Sequence, residues 1–555
     1  MAGTEERYGT VRGDSDSTRY LLGPTFIGLA IAAVSLTDSP GFAQVPAVPA
    51  PGGGGATDAG APPLGFGGPQ LPGGGGGAAQ GGPAWIITPS VQGSETFTDN
   101  VLSTAHQRQA DLISTLSPGL SISGESARLR GVFSYDPQLV KYLNVTSQDQ
   151  ILQSLFGTGT LTAVQDMLFL DLNASISNAS RSSGRGFNNT SQIPTSQSTQ
   201  SIAYTASPYA RFHFGDSGDA EVRYSLSQTV FDGNTGATVD TTTGQALGAI
   251  SNTTQQAESA KYSTGQAFSR LQFTFGLDNT TVTSGGSALN SRDTRGTVNG
   301  TYQVTDAVQA LFGAGYESLT YSNQTGANFR GPTWNIGGRY APRDDRVVQL
   351  TYGKSQGNDS FAGSAHYAIG GRTVVSASYS ESTTTQQQQL LQNLSNATQV
   401  TPGIIIDKTT GLPTFIANPN LALQNSVLRS QNLQAGVTVT GIRDTVTFNL
   451  SRTEQTGLTA GSLSQTTTGG VVGWSRELTP YTSGTINASY ATSDSGTTVG
   501  ATTGNIDSTT LSMSLNFTLT ETLTANASYA MSYQSGGVGG AVLVDLVTVA
   551  LRKSF

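Results

Sequence analysis

Residues 510–519 read TLSMSLNFTL. Leu511, Met513, Leu515, Phe517 and Leu519 share one parity; Thr510, Ser512, Ser514, Asn516 and Thr518 share the other. Side chains alternate across an extended chain, so this is a strand with one apolar face and one neutral polar face. In 522–533, Leu523, Ala525, Ala527, Tyr529, Met531 and Tyr533 oppose Thr522, Thr524, Asn526, Ser528 and Ser532. In 444–451, Val446, Phe448 and Leu450 oppose Thr445, Thr447, Asn449 and Ser451. In 168–177, Leu168, Leu170, Leu172, Ala174 and Ile176 oppose Asp171, Asn173, Ser175 and Ser177.

A soluble β-sandwich alternates too. Three features favour a membrane instead. The strands run to about 11–16 residues, where soluble strands average about 5–6. Their polar face is nearly uncharged, as a lumen is. Tight and long connections alternate: tight at 124–126, 165–166, 215–218, 305–306, 342–344, 370–371, 441–443, 477–478 and 520–521, long at 99–110, 181–197, 233–256, 285–292, 323–327, 385–427 and 495–504. The reading is all-β: a transmembrane antiparallel up-and-down β-barrel over 85–555, of about 22 strands, with short periplasmic turns and longer extracellular loops. An even count puts both termini in the periplasm. Counted back from Phe555, Leu551, Val549 and Val547 fall on the lipid face. Aromatics near strand ends (Tyr135, Tyr142, Tyr204, Phe212, Phe214, Trp334, Tyr340, Tyr481, Tyr529 and Tyr533) suggest interfacial girdles, or ordinary strand preference.

Composition agrees. Charged residues are 12% and hydrophobic ones 36% of 555, with 69 glycines. Mean hydropathy is -0.18. That is too polar for a helical membrane protein and too weakly charged for a typical soluble enzyme. There is no cysteine, which excludes disulfides and thiolate chemistry. The net charge of -8 comes with no dense basic stripe for nucleic acid.

The N-terminus reads as a targeting segment. Arg12 and Arg19 precede an apolar run, 21–36, and small residues lead to Ala43. This gives a signal peptide over 1–43; the run is short for a membrane helix and holds Pro24. Residues 44–84 are Pro, Gly and Ala with almost no charge, a flexible periplasmic linker.

The first strand unit reads ITPSVQGSETFTDNV over 87–101; the second ends LISTLSPGLSISG at Gly124; Arg128 and Arg130 follow. This opening resembles that of the outer-membrane barrels associated with the PEP-CTERM/exosortase system, and 407–413 (DKTTGLP) resembles part of their long-loop insertion. The resemblance is distinctive over about the first 60 barrel residues. It implies a link to exopolysaccharide and protein-sorting genes, and no catalytic or binding residues. Phe555 resembles the terminal aromatic by which the assembly machinery recognises outer-membrane proteins.

Motifs for chemistry do not assemble. Gly215-Asp216-Ser217-Gly218 matches part of a serine-protease loop, but Asp219 follows it and the site is a hairpin turn. Gly353-Lys354-Ser355 lacks the glycine cradle of a P-loop, Val348 standing at its start. Asp232-Gly233-Asn234 begins like a calcium loop, but Gly236 and Thr243 replace ligands. His106, His213 and His366 are scattered, with no metal spacing. Cofactor and metal sites are therefore not expected.

Parity puts Arg128, Arg130, Asp136, Arg211, Glu221, Arg223, Glu317 and Arg339 on the lumen face. They would form a weakly basic periplasmic mouth for an anionic solute or polysaccharide; alternatively they pair with Asp and Glu across strands. Residues 385–427 carry Gln386–Gln389, a short helix through Leu390, Leu391 and Leu394, and apolar Ile404–Ile406. So much apolar content predicts a loop that folds inward as a constriction or caps the mouth. Three readings follow: a non-enzymatic outer-membrane channel or export pore, a structural or adhesive barrel with a closed lumen, and an enzyme. Expected surroundings are outer-membrane lipid, lipopolysaccharide, the assembly machinery and a polysaccharide-export system.

Overall fold

The computed structural model describes residues 85–555 except 182–197, 234, 237, 240–245, 248, 286–289, 323–326, 402–403, 409–415, 418–420, 459–463, 497–504 and 537–539. The signal peptide and linker expected over 1–84 lie outside the described residues.

One antiparallel sheet closes on itself. Its staves are β1 (Trp85–Thr98), β2 (Asp111–Glu125), β3 (Leu129–Tyr135 and Gln138–Tyr142), β4 (Gln150–Leu152 and Leu155–Val164), β5 (Leu168–Ser180), β6 (Ser198–His213), β7 (Gly218–Gly233), β8 (Thr253–Thr264), β9 (Leu271–Ser284), β10 (Ser291–Gln303) and β11 (Val308–Tyr321). They continue as β12 (Phe329–Arg343), β13 (Arg346–Ser355), β14 (Asn358–Ile369), β15 (Thr373–Thr385), β16 (Val427–Thr440), β17 (Asp444–Gly457), β18 (Ser464–Thr479), β19 (Thr482–Gly496), β20 (Ile506–Thr520), β21 (Leu523–Ser535) and β22 (Val542–Ser554). β3 and β4 are each interrupted, so 24 hydrogen-bonded segments make 22 staves. Consecutive staves pair throughout, and β22 returns to β1 from Ser90↔Ser554 to Thr98↔Leu546. Phe555 N–H donates to the Pro89 carbonyl at 2.9 Å, at one end of this seam. Closure leaves no open edge, which is what a spanning sheet requires.

The outer face follows the alternation. Leu551, Val549 and Val547 are about half exposed, as are Met513, Leu515, Phe448 and Ile336. Outward aromatics mark both margins: Tyr262 and Phe275 near the short-turn rim, and Trp334 edge-to-face with Tyr352, 5.8 Å apart, near the long-loop rim. Tyr142 is an exception among the expected girdle residues. It is buried on the inner face in a cluster with Val101, Ile113, Val140 and Leu152. Its parity is that of Val140, so its place near a strand end did not make it outward.

Every connection on one rim is short, and both ends of the described barrel lie there too. Two turns differ from expectation. Residues 265–270 form an additional short turn with a single 3-10 turn at Gln266–Phe268. Residues 477–478 still belong to the ladder; a bulge there moves the turn to Pro480-Tyr481, where proline presets the dihedral a turn needs. On the opposite rim one connection is not long. β13 and β14 are joined by Gln356 and Gly357 alone, both at positive φ, +52° and +80°. A two-residue hairpin of this hand matches the strand twist, and glycine supplies the second position without strain.

The opening motif has a defined place in the seam. The Thr96 hydroxyl meets that of Thr548 at 2.9 Å. Asp99 Oδ1 accepts from the Asp545 N–H at 2.7 Å. The fully buried Asn100 donates to the Leu543 carbonyl at 3.0 Å and to that of Thr104 at 2.8 Å.

Candidate functional site: a segment across the lumen

Twenty-two strands about 4.8 Å apart, tilted about 40°, enclose a bore about 138 Å around its backbone wall. Such a bore admits more than side chains, and here it holds chain. Between β15 and β16, the described residues of 386–426 turn inward. The first part is helix α1, Gln386–Asn396. Gln and Leu are good helix formers, and Thr385 with Gln388 closes a capping box at its start. Leu390, Leu391 and Leu394 lie on one face and are buried. A short hairpin follows, Ala397–Thr401 against Ile404–Asp407.

The leucine face crosses to the far wall. It packs with Phe156 of β4, Ala179 of β5, Ala203 of β6 and Phe231 of β7, together with Ile250, Ile416, Ala417 and Leu423. These staves lie about halfway round the ring from β15. Burying each leucine stabilises the docked segment by about 1.5–3 kcal/mol.

The near end is held by amides. Gln386 Nε2 donates to Gln455 Oε1 at 3.1 Å and to the Ala422 carbonyl at 2.8 Å. Gln455 Nε2 donates to Gln389 at 3.1 Å, and Gln465 Nε2 donates to Gln455 at 3.0 Å. The Ala422 N–H donates to Gln465 and the Gln424 N–H to Gln386, at 3.1 and 2.6 Å. Both stems are thereby tied to each other and to β17 and β18. Ser134 of β3 donates to Gln399 at 3.1 Å, and Asn425 donates to Ser251 at 2.6 Å. Each of these ties is between neutral groups.

Charged side chains line the wall beside the docked segment. Arg223 donates to Asp171 at 2.8 Å and to Glu221 at 3.0 Å; Arg211 donates to the other Glu221 oxygen at 2.9 Å. Phe169 stacks on Tyr209 with centroids 5.0 Å apart, and Arg223 lies 3.8 Å over the Tyr209 ring. Of the remaining lumen candidates, Glu317 is fully buried and accepts from Arg295 at 2.8 Å and from the Gln356 N–H at 3.3 Å. Arg130 lies on the inner face of β3, and Arg339 on that of β12 between Gln309 and Gln349. Arg128 is not on a strand face. It lies in the turn before β3, since β2 ends at Glu125 and the parity count does not extend through a turn. Asp136 sits in the interruption of β3.

The structure therefore joins Arg211, Glu221 and Arg223 into one network and keeps Glu317 and Arg339 apart from it. Asp171 is its missed member, although its inward parity was legible. Arg295 was missed in the same way. Phe555 is exposed at the short-turn rim.

No family model matches the chain, and no curated protein matches it. Solved structures with a similar fold include the FrpB iron transporter from Neisseria meningitidis, F3-3 variant, at 10% identity and a TM-score of 0.47, covering 84% of this chain and 81% of that one. The siderophore receptor PirA from Acinetobacter baumannii is 8% identical with a TM-score of 0.46, covering 84% and 80%. The ferric enterobactin receptor PfeA, in complex with BCV-L6, is 8% identical with a TM-score of 0.47, covering 84% and 81%. These proteins are receptors and a transporter by name. The barrel assignment here rests on the closed ladder and its apolar outer belt.

Proposed function

We propose that this chain is a non-enzymatic outer-membrane channel or export pore, oriented with its short-turn rim and both termini in the periplasm. The observation that carries the reading is the 386–426 segment. A 22-stave bore is narrowed by a segment fixed at both ends, and its inner wall carries the Asp171, Arg211, Glu221 and Arg223 network among neutral polar side chains. The exposed Phe555 supports recognition by the assembly machinery at the periplasmic rim. The opening motif supports service to an extracellular polymer within a PEP-CTERM/exosortase system, with a polysaccharide-export apparatus as partner and lipopolysaccharide around the barrel.

Conductance in a planar bilayer tests the pore. Discrete open steps are expected; a purified, folded barrel that passes no current would sink it. The second reading, a structural or adhesive barrel with a closed lumen, is favoured by one observation. The leucine cluster joins the segment to the opposite wall and so divides the bore. Loss of secreted polymer on deletion of the gene separates the two, since a closed barrel carries none.

A further inference from the structure

The docked segment parts two inner walls of different chemistry. On one side, β6–β11 carry an in-register row of Tyr209, Arg223, Ser259, Asp278, Arg295 and Glu317. Carboxylates take up the cations there: Arg223 meets Asp171 and Glu221, and Arg295 meets Glu317 and Asp293 at 2.8 and 3.4 Å. Lys261 of β8 and Arg339 of β12 stand apart from these pairs and from each other, so they make no continuous lane of positive charge.

On the other side, β15–β21 are uncharged. Among the described residues of these staves no inward side chain is ionised short of Glu477, at the short-turn rim. One register row is hydroxyl throughout: Thr440, Thr445, Ser475, Thr485, Ser514 and Ser528 follow one another over β16–β21. Thr548 and Thr96, joined across the seam, carry it on to β1. Strands tilt, so a row at right angles to them climbs. Over eight staves it rises about 22 Å, in steps of about 4.8 Å that approach the length of one pyranose unit. It runs from the short-turn end of β16 to two residues short of the long-loop end of β1. Ser475 and Ser528 are part-exposed, and among the described residues their hydroxyls bond no protein group. On the same wall, inward Thr510 is buried at 4% exposure, its hydroxyl without a hydrogen-bond partner.

We propose that this hydroxyl row is a track for an uncharged polysaccharide, which slides along β16–β22 while the ionic wall lies behind the segment. A glycan exchanges hydrogen bonds with such a wall and desolvates no charge. A polyanion finds no cation on β15–β21, and on the ionic wall it meets carboxylates among paired arginines. The assignment rests on the pore reading and names its cargo.

The test uses the full chain, with maltohexaose and cellohexaose as neutral probes and hexagalacturonate as the anionic one. Block of the ion current in planar bilayers reads dwell in the lumen. Saturation-transfer NMR in detergent reads contact without needing a current. Heat-modifiable gel migration first confirms a closed barrel in each variant. S475A/S514A/S528A is expected to weaken engagement of a neutral hexasaccharide about tenfold, with conductance unchanged. S207A/S225A removes a hydroxyl pair from β6 and β7 and is expected to behave as the unaltered chain does. Three results overturn the track: full engagement by S475A/S514A/S528A, equal loss in S207A/S225A, or equal engagement of hexagalacturonate. A barrel that conducts but ignores both neutral sugars overturns the track and keeps the pore. One that passes no current yet holds a neutral sugar through these serines keeps the track and sinks the pore.

Discussion

The wall and the segment it encloses are built by opposite rules. Along the wall, residues of alternate parity repeat for 10–16 positions, and backbone hydrogen bonds to two neighbours do most of the holding. The 386–426 segment has no such period. One helix, one short hairpin, a leucine cluster and a handful of glutamine amides fix it. A wall of that kind spreads its stability over every stave, so a single side chain matters little. The segment concentrates its stability in few contacts, so single changes should release it while the barrel stays closed.

The difference is easiest to break by removal. Deleting residues 387–424 should raise single-channel conductance severalfold with heat-modifiable migration unchanged; unaltered conductance would show that the segment narrows nothing. Next in size is Leu394→Ala. Leu394 is fully buried, and its truncation should cost the docked state about 2–5 kcal/mol. Hydrogen exchange should rise in 386–396 and stay low in β5–β7. If protection falls equally in the wall, the two regions are one cooperative unit.

Gln455→Ala removes the hub of the amide ties and should cost about 1–3 kcal/mol. Current noise should increase, with the mean conductance little changed. Arg223→Gln removes the cation that bridges Asp171 and Glu221, and should move the reversal potential toward cation preference by a few millivolts. An unchanged potential would place the network off the conduction path. The smallest effect concerns the β3–β4 connection. Lys141 and the Tyr142 N–H hold the Asp149 carboxyl below its ordinary 3.8. A depressed folded value stabilises above the ordinary pKa and fails as pH falls through the folded one. Proteolytic sensitivity of this loop should therefore rise only below about pH 4.

The wall was legible because its rule is local. Parity in 510–519, 444–451 and 168–177 sets which face meets lipid, and the even count follows from alternate turns. The short-turn set failed only where residues mislead: Phe268 makes 265–270 look like strand, and a bulge displaces the turn to Pro480. The helix through Leu390, Leu391 and Leu394 was legible for the same local reason. Where its leucines go was not. Phe156, Ala179, Ala203 and Phe231 are single inward residues on four staves, and nothing in their own strands marks them as partners of a segment far along the chain. The lumen network was half legible: parity names Arg211, Glu221 and Arg223, but pairing with Asp171 depends on register between staves. Tyr142 shows the converse error, position read without parity.

The seam between first and last staves differs from every other junction in the entropy it must overcome. Neighbouring staves elsewhere are tethered by connections of a few residues to a few tens, whereas the seam joins residues 443 to 466 apart in sequence. Loop closure costs about 0.6 kcal/mol per doubling of length, so this junction begins about 4 kcal/mol behind a five-residue hairpin. It is here that Thr96, Asp99 and Asn100 reach across to β22, and that Arg552 donates to Ser90 at 3.0 Å. The words that open the barrel sequence are thus spent on bringing home its last strand.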